Sequence, residues 1–144
     1  VTLQDNGFDG VLIAINPTIA EDPRIITNIR NMFTRASLTL FTATKKRAYF
    51  RNINILVPKT WTSGSYNEAI GLSYSKADVI IAQANPQKGN IPYSEHTGGC
   101  GEHGRFIHLT PEYVVDNMEE IFGAVEKVLV HEWAHIRWGV FDEY

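Results

Sequence analysis

Residues 129–144 read LVHEWAHIRWGVFDEY, and the reading of this stretch decides what the rest of the chain is for. His131 and His135 stand four apart, Glu132 follows the first histidine, and Gly139, Asp142 and Glu143 close the run. Upstream, Met118, Ile121, Phe122, Val125, Val128 and Leu129 recur at helical spacing and predict a single helix over about residues 117–138. On such a helix, positions i and i+4 lie about 40° apart and one turn along, so the two imidazoles converge on one point. Neutral imidazole suits zinc, at roughly 2.0–2.1 Å per Zn–N bond. Glu132 leans toward that point as a general base and acid for peptide hydrolysis. Gly139 is suited to end the helix in the left-handed conformation. Asp142 then offers a carboxylate as the third ligand, leaving the fourth position to water.

Working outward, residues 10–16 (GVLIAIN) read as a buried strand that stops at Asn16-Pro17. Asp22-Pro23 is an N-cap followed by proline at the first helical position, and Ile25, Ile26, Ile29, Met32, Phe33, Ala36, Leu40 and Phe41 follow along one face. Residues 47–57 alternate as a second strand closed by Pro58. Residues 60–75 read as a polar loop with a short helical turn, and residues 77–82 as a third strand. The glycine-rich stretch 84–104 is long for a structureless loop and is expected to be functional or rimmed by short strands. Residues 105–109 read as a short edge strand, and Thr110-Pro111-Glu112 starts a helix with Thr110 as its cap. The expected fold is α/β (mixed α+β): a mixed sheet with packed helices and a C-terminal active-site helix.

The bland readings bound the rest. Trp133 and Trp138 are read as packing around the site. Arg137 is expected either to meet an acidic group or to be exposed, and Tyr144 to be structural rather than an oxyanion donor. His96 and His103 in the glycine-rich stretch read as solvated, and His108 as structural. Cys100 is the sole cysteine, so it is either a plain thiol or the partner of a cysteine elsewhere. A thiolate closing a zinc site is a further possibility for it.

With 144 residues, 44% of them hydrophobic and 20% charged, the chain can bury a real core as one domain. A net charge of -3 and no basic stripe argue against a nucleic-acid partner. No apolar run approaches the roughly 18 residues of a membrane span, which argues against a pore. The odd cysteine and the stop after Tyr144 suggest a piece truncated at its C-terminal end.

The HEWAHIRWGVFDEY stretch resembles the zinc motif HExxHxxxGxxDE of the calcium-activated chloride channel regulator (CLCA) family, in its N-terminal domain. His131, Glu132, His135, Gly139, Asp142 and Glu143 occupy its positions. The likeness continues in DNGFDGVLIAINP, in AEDPRII, in ASLTLFTATKKRAYFRNINILVP and in YSEHTGGCGEHGRFIHLTPEY, and so covers nearly the whole chain. It implies a secreted zinc metalloprotease of the metzincin kind that cleaves its own parent chain. By analogy His131, His135 and Asp142 are ligands of Zn2+ and Glu132 is the general base. Against the metzincin pattern HExxHxxGxxH there is one extra residue before the glycine, and an aspartate stands for the third histidine. Asp142 keeps the glycine-to-ligand spacing, with Glu143 as the alternative. The family's von Willebrand factor A type domain, through which a calcium-activated chloride channel would be regulated, and its methionine turn lie outside these residues. The rival reading is a non-catalytic, zinc-stapled interaction module.

Overall fold

The structure, a computed structural model, describes residues 1–140 apart from 63, 65, 68 and 97. It is a mixed α/β arrangement. Strands β1 (Thr2–Gln4), β2 (Gly7–Asp9), β3 (Val11–Ile15), β4 (Tyr49–Phe50), β5 (Ile53–Leu56), β6 (Val79–Ile81), β7 (Tyr93–Glu95) and β8 (Phe106–Leu109) form two sheets. The smaller has the order β1-β2-β4, and the larger β5-β3-β6-β8-β7, parallel except for the antiparallel β7 at its edge. Helices α1 (Pro23–Ala43), α2 (Pro111–Val115), α3 (Glu119–Phe122) and α4 (Val125–Trp138) complete it.

The faces of the larger sheet follow from the two-residue side-chain period. Val11, Ile13, Ile15, Val79, Ile81, Ile107 and Leu109 point one way and join Ile25, Ile29, Phe33, Leu40, Leu129 and Trp133 of α1 and α4 in the main core. Leu12, Ala14 and Ile80 point the other way, against Ala77, Tyr74 and Phe106. Asp22 caps α1 as expected, its side chain accepting from the Arg24 N–H at 3.0 Å with Pro23 next in line. Thr110 caps α2 through the Tyr113 N–H at 3.1 Å.

Several expectations are corrected. The hairpin of β1 and β2 has no counterpart in the sequence reading. Residues 47–57 are not one strand: β4 pairs with β2, and β5 with β3. The break at Arg51-Asn52 answers the bend at Gly10 (φ +78°), since both partner runs change sheets at the same level. The strand at 105–109 is not an edge; β7 covers it. The final helix is also interrupted. Gly123 (φ +89°, ψ 178°) separates α3 from α4, and Ile121, one of the apolar positions that set the helical spacing, is 73% exposed. The glycine-rich stretch is rimmed by β7, as expected.

His108 is buried in β8, stacked on Tyr93 at 4.7 Å, with Nε2–H donating to the Gln83 carbonyl at 3.1 Å. Burial holds its pKa below the ordinary 6.5. The folded state therefore binds this proton less readily than the unfolded chain. The stabilisation is complete above about pH 6.5 and is lost as pH falls through the interval down to the folded pKa. Each pH unit of that interval is expected to cost up to about 1.4 kcal/mol. Unfolding midpoints measured with chelator present should fall on acidification, and His108→Gln should flatten the profile.

Candidate metal centre

Helix α4 presents its functional face because its apolar positions are taken up elsewhere. Leu129, Trp133 and Ile136 are buried. Trp133 fits edge-on between Phe8 (5.1 Å) and Phe50 (5.0 Å), which fixes the rotation of the helix. One turn of the opposite side then carries both histidines. Their Nε2 atoms lie 3.0 Å apart and their rings are nearly perpendicular, at 87°. The Nδ1 of His135 meets the Val140 carbonyl. A carbonyl only accepts, so Nδ1 carries the proton and Nε2 presents its lone pair. This is how a backbone oxygen commonly orients a ligating imidazole.

Glu132 is buried, at 9% exposure. Its carboxylate Oε2 accepts from the hydroxyl of Ser94 on β7. Sequence reasoning missed Ser94; it lies 38 residues from its partner, and no local pattern connects them. Tyr113 stands nearby, its hydroxyl pushed up to about 12 by burial, with the carboxylates of Glu119, Glu132 and Glu126 adding to the shift. It is neutral at physiological pH.

Gly139 ends α4 in the left-handed conformation (φ +64°, ψ 28°), as the sequence predicts. The glycine-rich stretch docks on this helix end. The Gly101 N–H donates to the Gly139 carbonyl at 2.9 Å, and the Gly104 N–H to the Ile136 carbonyl at 2.7 Å. Both carbonyls would otherwise lack intrahelical donors. His96 Nε2–H donates to the Glu102 carbonyl at 2.6 Å, which ties the same loop internally. His96 and His103 are thus loop-bracing groups rather than purely solvated ones. Among the described residues Arg137 meets no acid; its guanidinium donates to His103 Nε2 at 2.8 Å and lies over Phe8 at 5.5 Å. Cys100 is an exposed free thiol. Trp138 is half-exposed and packs edge-on to Phe8 at 6.1 Å.

Asp142, Glu143 and Tyr144 lie outside the described residues, so the expected third ligand is not placed. Among the described residues no group of three or more His, Cys, Asp or Glu gathers around one point. The donor set that is described nevertheless fits zinc. Two nitrogens bonded to one tetrahedral ion stand ~3.3 Å apart, close to the 3.0 Å between the two imidazoles. Among the described residues no helix is long and apolar enough to cross a membrane.

Fold and site together define a mixed α/β domain whose last described helix offers a paired-imidazole donor set beside a buried carboxylate. Residues 1–144 match the family described as "Calcium-activated chloride channel N terminal". The chain is 52% identical to calcium-activated chloride channel regulator 2 of Mus musculus over 99% of its own length and 15% of that protein. It is 50% identical to regulator 1 of Bos taurus over 100% of its length and 16% of that protein. Against regulator 2 of Homo sapiens the figure is 49%, over 100% and 15%. The chain belongs to the calcium-activated chloride channel regulator family, and it spans about 15% of the length of these relatives. No solved structure matches it.

Proposed function

We propose that this chain is the zinc-dependent metalloendopeptidase domain of a secreted chloride-channel regulator, with a zincin-like arrangement of edge strand and ligand helix, and that it cleaves its own parent chain. The observation that carries the reading is the 3.0 Å approach of the two Nε2 atoms, with His135 held in the ligand tautomer. His131 and His135 would hold the ion. Asp142 would complete the set, with Glu143 next in line. Support for a ligand beyond Gly139 comes from the turn itself, which brings the Val140 carbonyl back onto the His135 ring.

Bound Zn2+ would supply Lewis acidity, polarising the scissile carbonyl and acidifying a water. The chain's own residues do the rest. Glu132, buried against β7, takes a proton from the attacking water as the new C–O bond forms. It returns that proton to the departing amine as the C–N bond breaks. The relatives carry chloride-channel regulation in their names; for this protein that role would fall to parts of the parent chain outside residues 1–144.

Elemental analysis of the full-length protein tests the centre. One equivalent of zinc is expected, and His135→Ala should reduce it at least tenfold. Zinc absent from the wild-type protein, or retained in the variant, would remove the basis of the reading.

A further inference from the structure

Glu132 is useful as a base only if its carboxylate stays aimed at one point, and a glutamate has several rotatable bonds with which to drift. Burial removes the water that would otherwise solvate it and leaves the protein to set its direction. One donor to it sits on the edge strand. In the register of β7 with β8, Ser94 lies opposite Ile107, whose side chain enters the main core. Its neighbour Tyr93 turns the other way and stacks on His108. Side-chain alternation therefore delivers the Ser94 hydroxyl to the face covered by α4, where it meets Glu132 Oε2. The same hydroxyl is 3.4 Å from the Glu132 backbone carbonyl, at the long limit of a bond. A hydroxyl has one proton to donate, and the carboxylate contact is far the closer.

We propose that Ser94 is a positioning residue for Glu132: its hydroxyl, fixed by the pairing of β7 with β8, holds the carboxylate in the direction from which it serves as base. The inference rests on the protease reading and names a group that reading does not include. A bond from a hydroxyl to a charged acceptor belongs to the strong class. Its loss is expected to slow the chemical step by about ten- to a hundred-fold.

The test uses the full-length protein and a peptide copying its own cleavage site. Ser94→Ala should lower kcat by that factor, leave KM within about twofold and leave zinc content unchanged, since substrate and metal contacts are untouched. Ser94→Thr, which keeps the hydroxyl, should recover most of the rate. A second readout needs no activity: hydrogen exchange of the α4 amides in chelated protein, for Ser94→Ala, Glu132→Ala and the double variant. Non-additive loss of protection is expected, because the two side chains share one bond. Additive effects overturn the proposal. An unchanged kcat in Ser94→Ala, beside an inactive Glu132→Gln, also overturns it while the protease reading stands. Cleavage that persists in Glu132→Gln overturns the protease reading, and the role of Ser94 with it.

Discussion

Glu132→Gln is expected to slow self-cleavage by about 10²–10⁴-fold, the usual contribution of a positioned general base. Glutamine matches glutamate in shape and can still accept from Ser94, so β7 and α4 should stay docked. It cannot take up a proton at neutral pH. Neither imidazole proposed as a ligand is altered, and the zinc content should match the wild type. The rate is read from the appearance of cleaved chain in freshly synthesised protein, and the metal from elemental analysis of the same sample. Loss of cleavage with zinc retained separates a catalytic centre from a metal staple. A staple would show wild-type zinc and the same processing in both proteins, performed by some other protease.

Gly139→Ala is expected to be the most disruptive small change near the site. Two costs add. A side chain at φ +64° is strained by about 1–2 kcal/mol. The new Cβ would also collide with the Glu102 carbonyl oxygen and stand 2.6 Å from the Glu102 nitrogen. Those are backbone atoms that cannot swing aside, and overpacking of this kind costs a further 1–3 kcal/mol or so. Gly10 separates the two terms. It has φ +78°, yet a Cβ added there would meet nothing within 4 Å, so Gly10→Ala carries strain alone. Chelated protein should therefore unfold at distinctly lower denaturant in Gly139→Ala than in Gly10→Ala. The zinc affinity of Gly139→Ala should fall as well, because the turn that returns the chain to His135 is the part displaced. Equal losses in the two variants would mean that the docking of the glycine-rich stretch contributes nothing.

Much of this site is legible in the residue order alone. The i and i+4 spacing places both imidazoles on one side of a helix whatever surrounds it. The Asp22 and Thr110 caps and the Gly139 stop each act within a few residues, so their sequence signals are local and complete. The apolar run at residues 11–15 marks a strand buried on both faces, and it is one. Hydrophobic periodicity misleads where it runs through a backbone break: Phe122 and Val125 keep the helical rhythm across Gly123, whose conformation ends α3.

By itself, then, the sequence determined that His131, Glu132 and His135, the residues proposed to act on a metal and a proton, share one helix that turns at Gly139. Only the tertiary structure decided their surroundings. The partition of residues 47–57 between two sheets, the covering of β8 by β7, the seat of Trp133 between Phe8 and Phe50, and the meeting of Ser94 with Glu132 all join residues far apart in the chain. Local rules act through bonds and turns a few residues long. Strand order and helix rotation depend on which edge and which apolar face remain open once the other elements have packed, and no short window of sequence contains that competition.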